Sequence, residues 1–169
     1  MRQLRPLLLA LGLIAVSAAP ARADLTVFAG ATSEPSSRLA TGVSLGSGFL
    51  VVGFEVEYSQ TRAEDDCLSG TETCAPSLRT GTLNLLVQTP RGLVPRTQVY
   101  GIVGGGFFRE RFEALDVQET GLATSFGAGV KISLVGPLRV RLDYRVFKLS
   151  GDAVHQTPQR VYVGANIGF

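Results

Sequence analysis

Glu55 and Glu57 stand one residue apart in "FEVEY", a pair of carboxylates of the kind that does acid–base work when an open cleft brings a substrate to them. Their candidate partners follow the same spacing. "LRVRLDYRVF" carries Arg139, Arg141, Asp143 and Arg145 at every second position, and "GAGVKIS" adds Lys131. No accessible cleft is implied by these segments. Charges closed in together are expected to pair, because an isolated charge withdrawn from water is costly. The expectation is therefore an internal ionic network of Glu55, Glu57, Lys131, Arg139, Arg141, Asp143 and Arg145. A narrow ion path through that network is the second reading.

Other reactive groups are sparse. His155 is the single histidine and sits in the polar segment "AVHQTPQR", where a solvated loop side chain is expected. No metal-ligand cluster, phosphate-cradling glycine loop or nucleophile–base motif is present, so no catalytic residue, metal or cofactor is expected. Cys67 and Cys74, in "CLSGTETC", are the two cysteines. Without a histidine nearby they cannot complete a tetrahedral zinc site. In an exported chain such a pair reads as a disulfide closing a small loop. Glu64, Asp65 and Asp66, with Glu72, crowd the same loop without the spacing of a calcium site, so they read as solvated.

Export is written at the front. Arg2 and Arg5 precede an apolar run from Leu7 to Val16, and small residues end in Ala21-Arg22-Ala23. That is a secretory signal with an A-x-A cleavage site, and the run is too short for a spanning helix. The expected division is a signal peptide over 1–23 and one domain over 24–169. Removing 1–23 takes three arginines and no acids from 16 basic and 14 acidic residues, so the formal +2 becomes −1. A basic nucleic-acid footprint is thereby excluded.

The elements that must position the charges are strands. In "FLVVGFEVEYSQ" Leu50, Val52, Phe54, Val56 and Tyr58 alternate with Val51, Gly53, Glu55, Glu57 and Ser59. Leu138, Val140, Leu142, Tyr144 and Val146 likewise oppose Arg139, Arg141, Asp143, Arg145 and Phe147. A period of two argues for strands. It recurs less cleanly over Leu25–Ser33, Arg38–Leu45, Arg79–Gln88, Gln98–Arg109, Gly121–Leu134 and Arg160–Phe169, giving eight strands in all. Short turns are expected at Gly46-Ser47-Gly48, "TPRGLVP" and Val135-Gly136-Pro137. Longer polar connections are expected at "EPSS", Thr61–Ser77, Glu110–Glu119 and Gly151–Gln159. An even strand number lets the sheet close without an edge. The small residues Gly30, Gly42, Ser44, Gly53, Ser125, Gly127, Gly129 and Gly164 fall mostly on the inner face, leaving room for large charged side chains.

The signal, the eight alternating segments and the closing "VYVGANIGF" resemble the small eight-stranded outer-membrane β-barrels of Gram-negative bacteria, the OmpA transmembrane-domain, OmpX and OmpW type. The resemblance implies an all-β, antiparallel up-and-down transmembrane barrel in the cell outer membrane, with both termini periplasmic. It implies that Val161, Val163, Ala165, Ile167 and Phe169 form the signal read by the barrel-assembly machinery. Other implied partners are outer-membrane lipids and lipopolysaccharide, and the chain is expected to be a monomer. Two features depart from the type. There is no Trp, so an aromatic girdle falls to residues such as Tyr58, Tyr100, Tyr144 and Phe169, and no C-terminal peptidoglycan-anchoring domain is expected. A soluble lipocalin-like barrel, apolar inside and polar outside, shares the alternation and is the alternative fold. Lipid A deacylases of this size use His-x-Ser. The corresponding His155-x-Thr157, followed by Pro158, matches poorly. The expected role is structural or surface display, not enzymatic, with a porin-like channel next and a lipid A-modifying hydrolase last.

Overall fold

The computed structural model describes residues 22–33, 37–63, 76–90, 92–112, 117–151 and 157–169. They form β1 (Arg22–Ser33), β2 (Arg38–Phe49), β3 (Val52–Thr61), β4 (Ser77–Gln88), β5 (Thr97–Phe112), β6 (Val117–Ser133), β7 (Leu138–Leu149) and β8 (Gln159–Gly168). Each strand pairs antiparallel with the next, and β8 returns to β1, so the sheet is a closed barrel. At the seam Leu25 lies opposite Ile167 and Ala31 opposite Val161. Ala23 and Phe169 exchange backbone hydrogen bonds of 3.0 and 2.9 Å beyond the last pair. Closure removes the unpaired edge that an open sheet would present.

Alternation decides which way each side chain faces. Along β3 exposed and buried residues alternate without a break. Its buried set holds Glu55, Glu57 and Ser59, while Phe54, Val56 and Tyr58 are exposed. From Arg141 onward β7 follows the same alternation, with Arg141, Asp143 and Arg145 inside and Leu142 and Tyr144 outside. Charges in and apolar residues out is the inverse of a lipocalin, so that alternative fold is set aside.

Several boundaries differ from the sequence expectation. Gly46, Ser47 and Gly48 belong to β2, and the first short turn lies at Leu50 and Val51, between the paired Phe49 and Val52. Leu50 there takes a left-handed φ of 51°. Gly46 faces inward, where a Cβ would come within 2.7 Å of the Asp24 carboxylate, so its role is close approach rather than turning. The other two turns fall as expected, the last one using Gly136 at φ 57°. The Glu110–Glu119 connection is largely strand. β5 and β6 run on to a Phe112–Val117 pair, because Glu110 points inward and continues the alternation as a polar residue. Strand β1 begins at Arg22, two residues before the expected domain start at Asp24. Residues 1–21, Glu64, Asp65, Asp66, Cys67, Glu72, Cys74 and His155 lie outside the described residues.

The girdle needs one correction. Tyr58, Tyr144 and Phe169 are exposed on the outer wall, but Tyr100 is 2% exposed and points into the lumen. In β5 both faces are apolar: Ile102 and Phe108 lie inside, Val99, Val103 and Phe107 outside. Period alone could not tell which face Tyr100 shared.

Candidate functional site: the barrel lumen

The lumen is filled in layers. At the end carrying the short turns, Lys131 Nζ donates to Asp24 Oδ2 at 2.6 Å. Deeper in, Tyr100 Oη and Arg141 Nε both donate to Asp143 Oδ2 at 2.6 Å. Arg141 also donates to Glu55, and its guanidinium lies 5.1 Å from the Tyr100 ring centre. Glu55 is the hub. Besides Arg141, it accepts from Arg145 Nη2 at 2.8 Å and from Ser44 Oγ at 3.1 Å. Arg145 Nη1 stands 2.9 Å from Glu57 Oε2, and its Nε is 3.7 Å from Asp143 Oδ1. Glu57 also accepts from Tyr162 Oη at 3.2 Å, and Arg160 Nη1 lies 3.9 Å away.

Towards the loop end apolar packing joins the polar contacts, where Arg160 also donates to Ser59 Oγ at 2.5 Å. The Arg160 guanidinium stacks 4.6 Å over the Phe147 ring. Phe147 in turn belongs to a buried cluster with Leu78, Phe108, Ala123 and Leu149. The small inner residues make this filling possible. At Gly129 a Cβ would collide with the Tyr100 ring, so glycine is what lets the phenol reach Asp143.

Charge is balanced inside. Among the described residues the buried acids are Asp24, Glu55, Glu57, Glu110 and Asp143, and the buried bases are Arg38, Lys131, Arg141, Arg145 and Arg160. Five face five. An eight-stranded barrel is only wide enough for side chains to fill, and eight of these ten lie in the ion pairs described above.

No family model and no curated protein matches the chain. Solved structures do match. The N-terminal β-barrel domain of Pseudomonas aeruginosa OprF superposes with a TM-score of 0.65 at 13% identity, covering 88% of this chain and 97% of that one. Neisserial surface protein A gives 0.64 at 14% identity, covering 88% and 96%. Ail, the attachment invasion locus protein of Yersinia pestis, gives 0.59 at 13% identity, covering 88% and 99%. The fold is that of the small eight-stranded outer-membrane barrels. At such low identity the likeness to these barrels is one of fold alone.

Of the seven charged residues singled out in the sequence, six lie in the described ion pairs: Glu55, Glu57, Arg141, Asp143 and Arg145 in one network, and Lys131 with Asp24. Arg139 does not join them. It is half-buried at the turn-end mouth beside Gly168, one strand position too near the rim. Sequence reading missed Asp24, Tyr100, Arg160 and Tyr162. Arg160 and Tyr162 alternate with Val161 and Val163, so the inner face of β8 was readable once the outer face was named. Asp24 stood at the expected cleavage point, where it looked like a chain end. Among the described residues no group of three or more His, Cys, Asp or Glu is placed to hold a metal.

Proposed function

We propose that this chain is an integral outer-membrane barrel with a closed lumen, serving a structural role or displaying its long connections at the cell surface. The observation that carries this reading is the buried, charge-balanced set of ionic side chains, packed together with the apolar Phe147 cluster. A continuous water path would require those pairs to part. The outer wall supports the membrane placement: Val27, Leu45, Phe54, Val56, Leu83, Phe107, Phe126 and Val163 are all exposed, and hydrocarbon is the solvent that such a surface suits. The start of β1 and the end of β8 lie with the short turns, which would face the periplasm. In planar bilayers the refolded protein is expected to give no steady conductance, and large, sustained openings would replace this reading with the porin-like channel. Lipid A masses are expected to be the same with and without the protein. A deacylated product would revive the hydrolase reading and direct attention to His155.

The closing strand supports an assembly role. Val161, Val163, Ile167 and Phe169 project outward while Tyr162 and Asn166 fill the lumen, so the apolar stripe that the assembly machinery would read lies on one face of β8. Deleting Phe169 also removes both backbone bonds to Ala23. The truncated protein is expected to be exported normally and to be depleted from the outer membrane, as read by fractionation. Unchanged outer-membrane levels would remove the assembly signal from this reading.

A further inference from the structure

The outer wall near the loop end holds a cleft of about 250 Å³ between β3, β4, β5 and β6. Two rows of the sheet build it. In one, Tyr58, Gly81 and Phe107 are cross-strand neighbours. Both aromatics stand out from the wall, at 48% and 66% exposure, and Gly81 between them leaves a slot in which a Cβ would meet nothing within 4 Å. In the next row towards the loops, Gln60, Arg79, Arg109 and Thr120 are neighbours, so two arginines sit side by side above the slot.

That pairing calls for an anion. Like charges directly opposite each other on a sheet repel. Among the described residues, no acid lies on the outer face of these strands: β4 has none, Glu110 of β5 and Glu55 and Glu57 of β3 are buried, and Glu119 of β6 follows the inward alternation. Guanidinium forks match phosphate oxygens in geometry and charge. The level is also right for a head group. From Val99 to Phe107 the outer face of β5 is apolar or glycine for about 26 Å of strand, a band about 20 Å tall at the usual tilt. Arg109 is the next outward residue.

We propose that this cleft binds one phosphorylated lipid of the loop-side leaflet, with its phosphate monoester on Arg79 and Arg109 and its hydrocarbon in the Tyr58–Gly81–Phe107 slot. The proposal rests on the membrane placement given above. The direct test uses phosphatidic acid as the probe, counted by native mass spectrometry on the barrel released from zwitterionic nanodiscs. Heat-modifiable gel mobility scores folding separately. R79Q/R109Q is expected to weaken retention about 25-fold, since each basic residue near an anionic lipid surface contributes about 1 kcal/mol. G81L keeps both charges but fills the slot, and is expected to lose at least about fivefold. R96Q, at the turn end, is expected to retain lipid like the wild type, and inorganic phosphate is expected not to displace it.

Retention unchanged in R79Q/R109Q overturns the site. Retention unchanged in G81L, or displacement by phosphate alone, reduces it to surface charge and overturns the lipid assignment. A chain that never folds in bilayers would instead sink the membrane placement, whereas a folded barrel without bound lipid sinks this site alone.

Discussion

Arg141→Gln is expected to destabilise the folded barrel by about 3–5 kcal/mol, towards the lower figure if water enters the lumen. Arg141 is fully buried and holds two acids at once, Glu55 and Asp143. Its loss leaves Glu55, Glu57 and Asp143 facing Arg145 and Arg160, an excess negative charge in a space with little solvent. Glu55→Gln produces the opposite excess, since Arg141 and Arg145 both depend on that carboxylate. The double variant restores balance: Arg145 keeps Glu57 and Asp143, and Arg160 keeps its contact with Glu57. Its cost should therefore fall well short of the sum of the singles, by an interaction energy of about 1–3 kcal/mol. Urea unfolding of the refolded protein in lipid vesicles gives all four corners of the cycle. Strict additivity would mean that Glu55 and Arg141 do not couple, and the plug would have to be explained by shape instead. If the pair is a structural plug, E55Q/R141Q should conduct more than wild type, because the two neutral amides hold the lumen less tightly.

The depth to which this lumen could be read from sequence depended on contrast between strand faces. β3 and β7 alternate charge with aliphatic carbon, so their sides were legible and Glu55, Glu57, Arg141, Asp143 and Arg145 fell inside as expected. β5 has no such contrast, and its period leaves the wall that Tyr100 joins undecided. The turn after β2 was misplaced for a related reason. Glycine signals both turning and close approach, and Gly46 and Gly48 serve the second within a strand. Pairing across the barrel was least legible. Lys131 meets Asp24 across the lumen from a position 107 residues away, a relation set by closure and register and by nothing local. The β5–β6 extension was hidden because polar residues that continue a strand beyond the apolar band look like loop.

Leu142→Arg is expected to cost about 2–4 kcal/mol, and the size of the loss should depend on depth. Leu142 is exposed on the outer wall, midway along β7, between Val130 of β6 and Val163 of β8. All three present aliphatic carbon outward, so an arginine there has no polar neighbour directly across from it on either adjacent strand. If the wall lies in hydrocarbon, the guanidinium must stretch to the interface or draw water and head groups inward. Either response costs more at mid-depth than near the rim. Two positions on the same face of the same strand provide the gradient. Val146→Arg, nearer the loops, should cost less. Position 148 already carries a lysine outside, and Lys148→Arg should change stability by no more than about 1 kcal/mol. The comparison is made by reversible unfolding in vesicles, where the loss should fall from Leu142 to Val146 to Lys148. A flat profile, with Leu142→Arg tolerated as well as Lys148→Arg, would mean that water and not lipid bathes this face. Among the described residues, thirty-odd exposed apolar side chains would then need another cover, such as a partner surface, and the membrane placement on which the lipid cleft depends would fall with it.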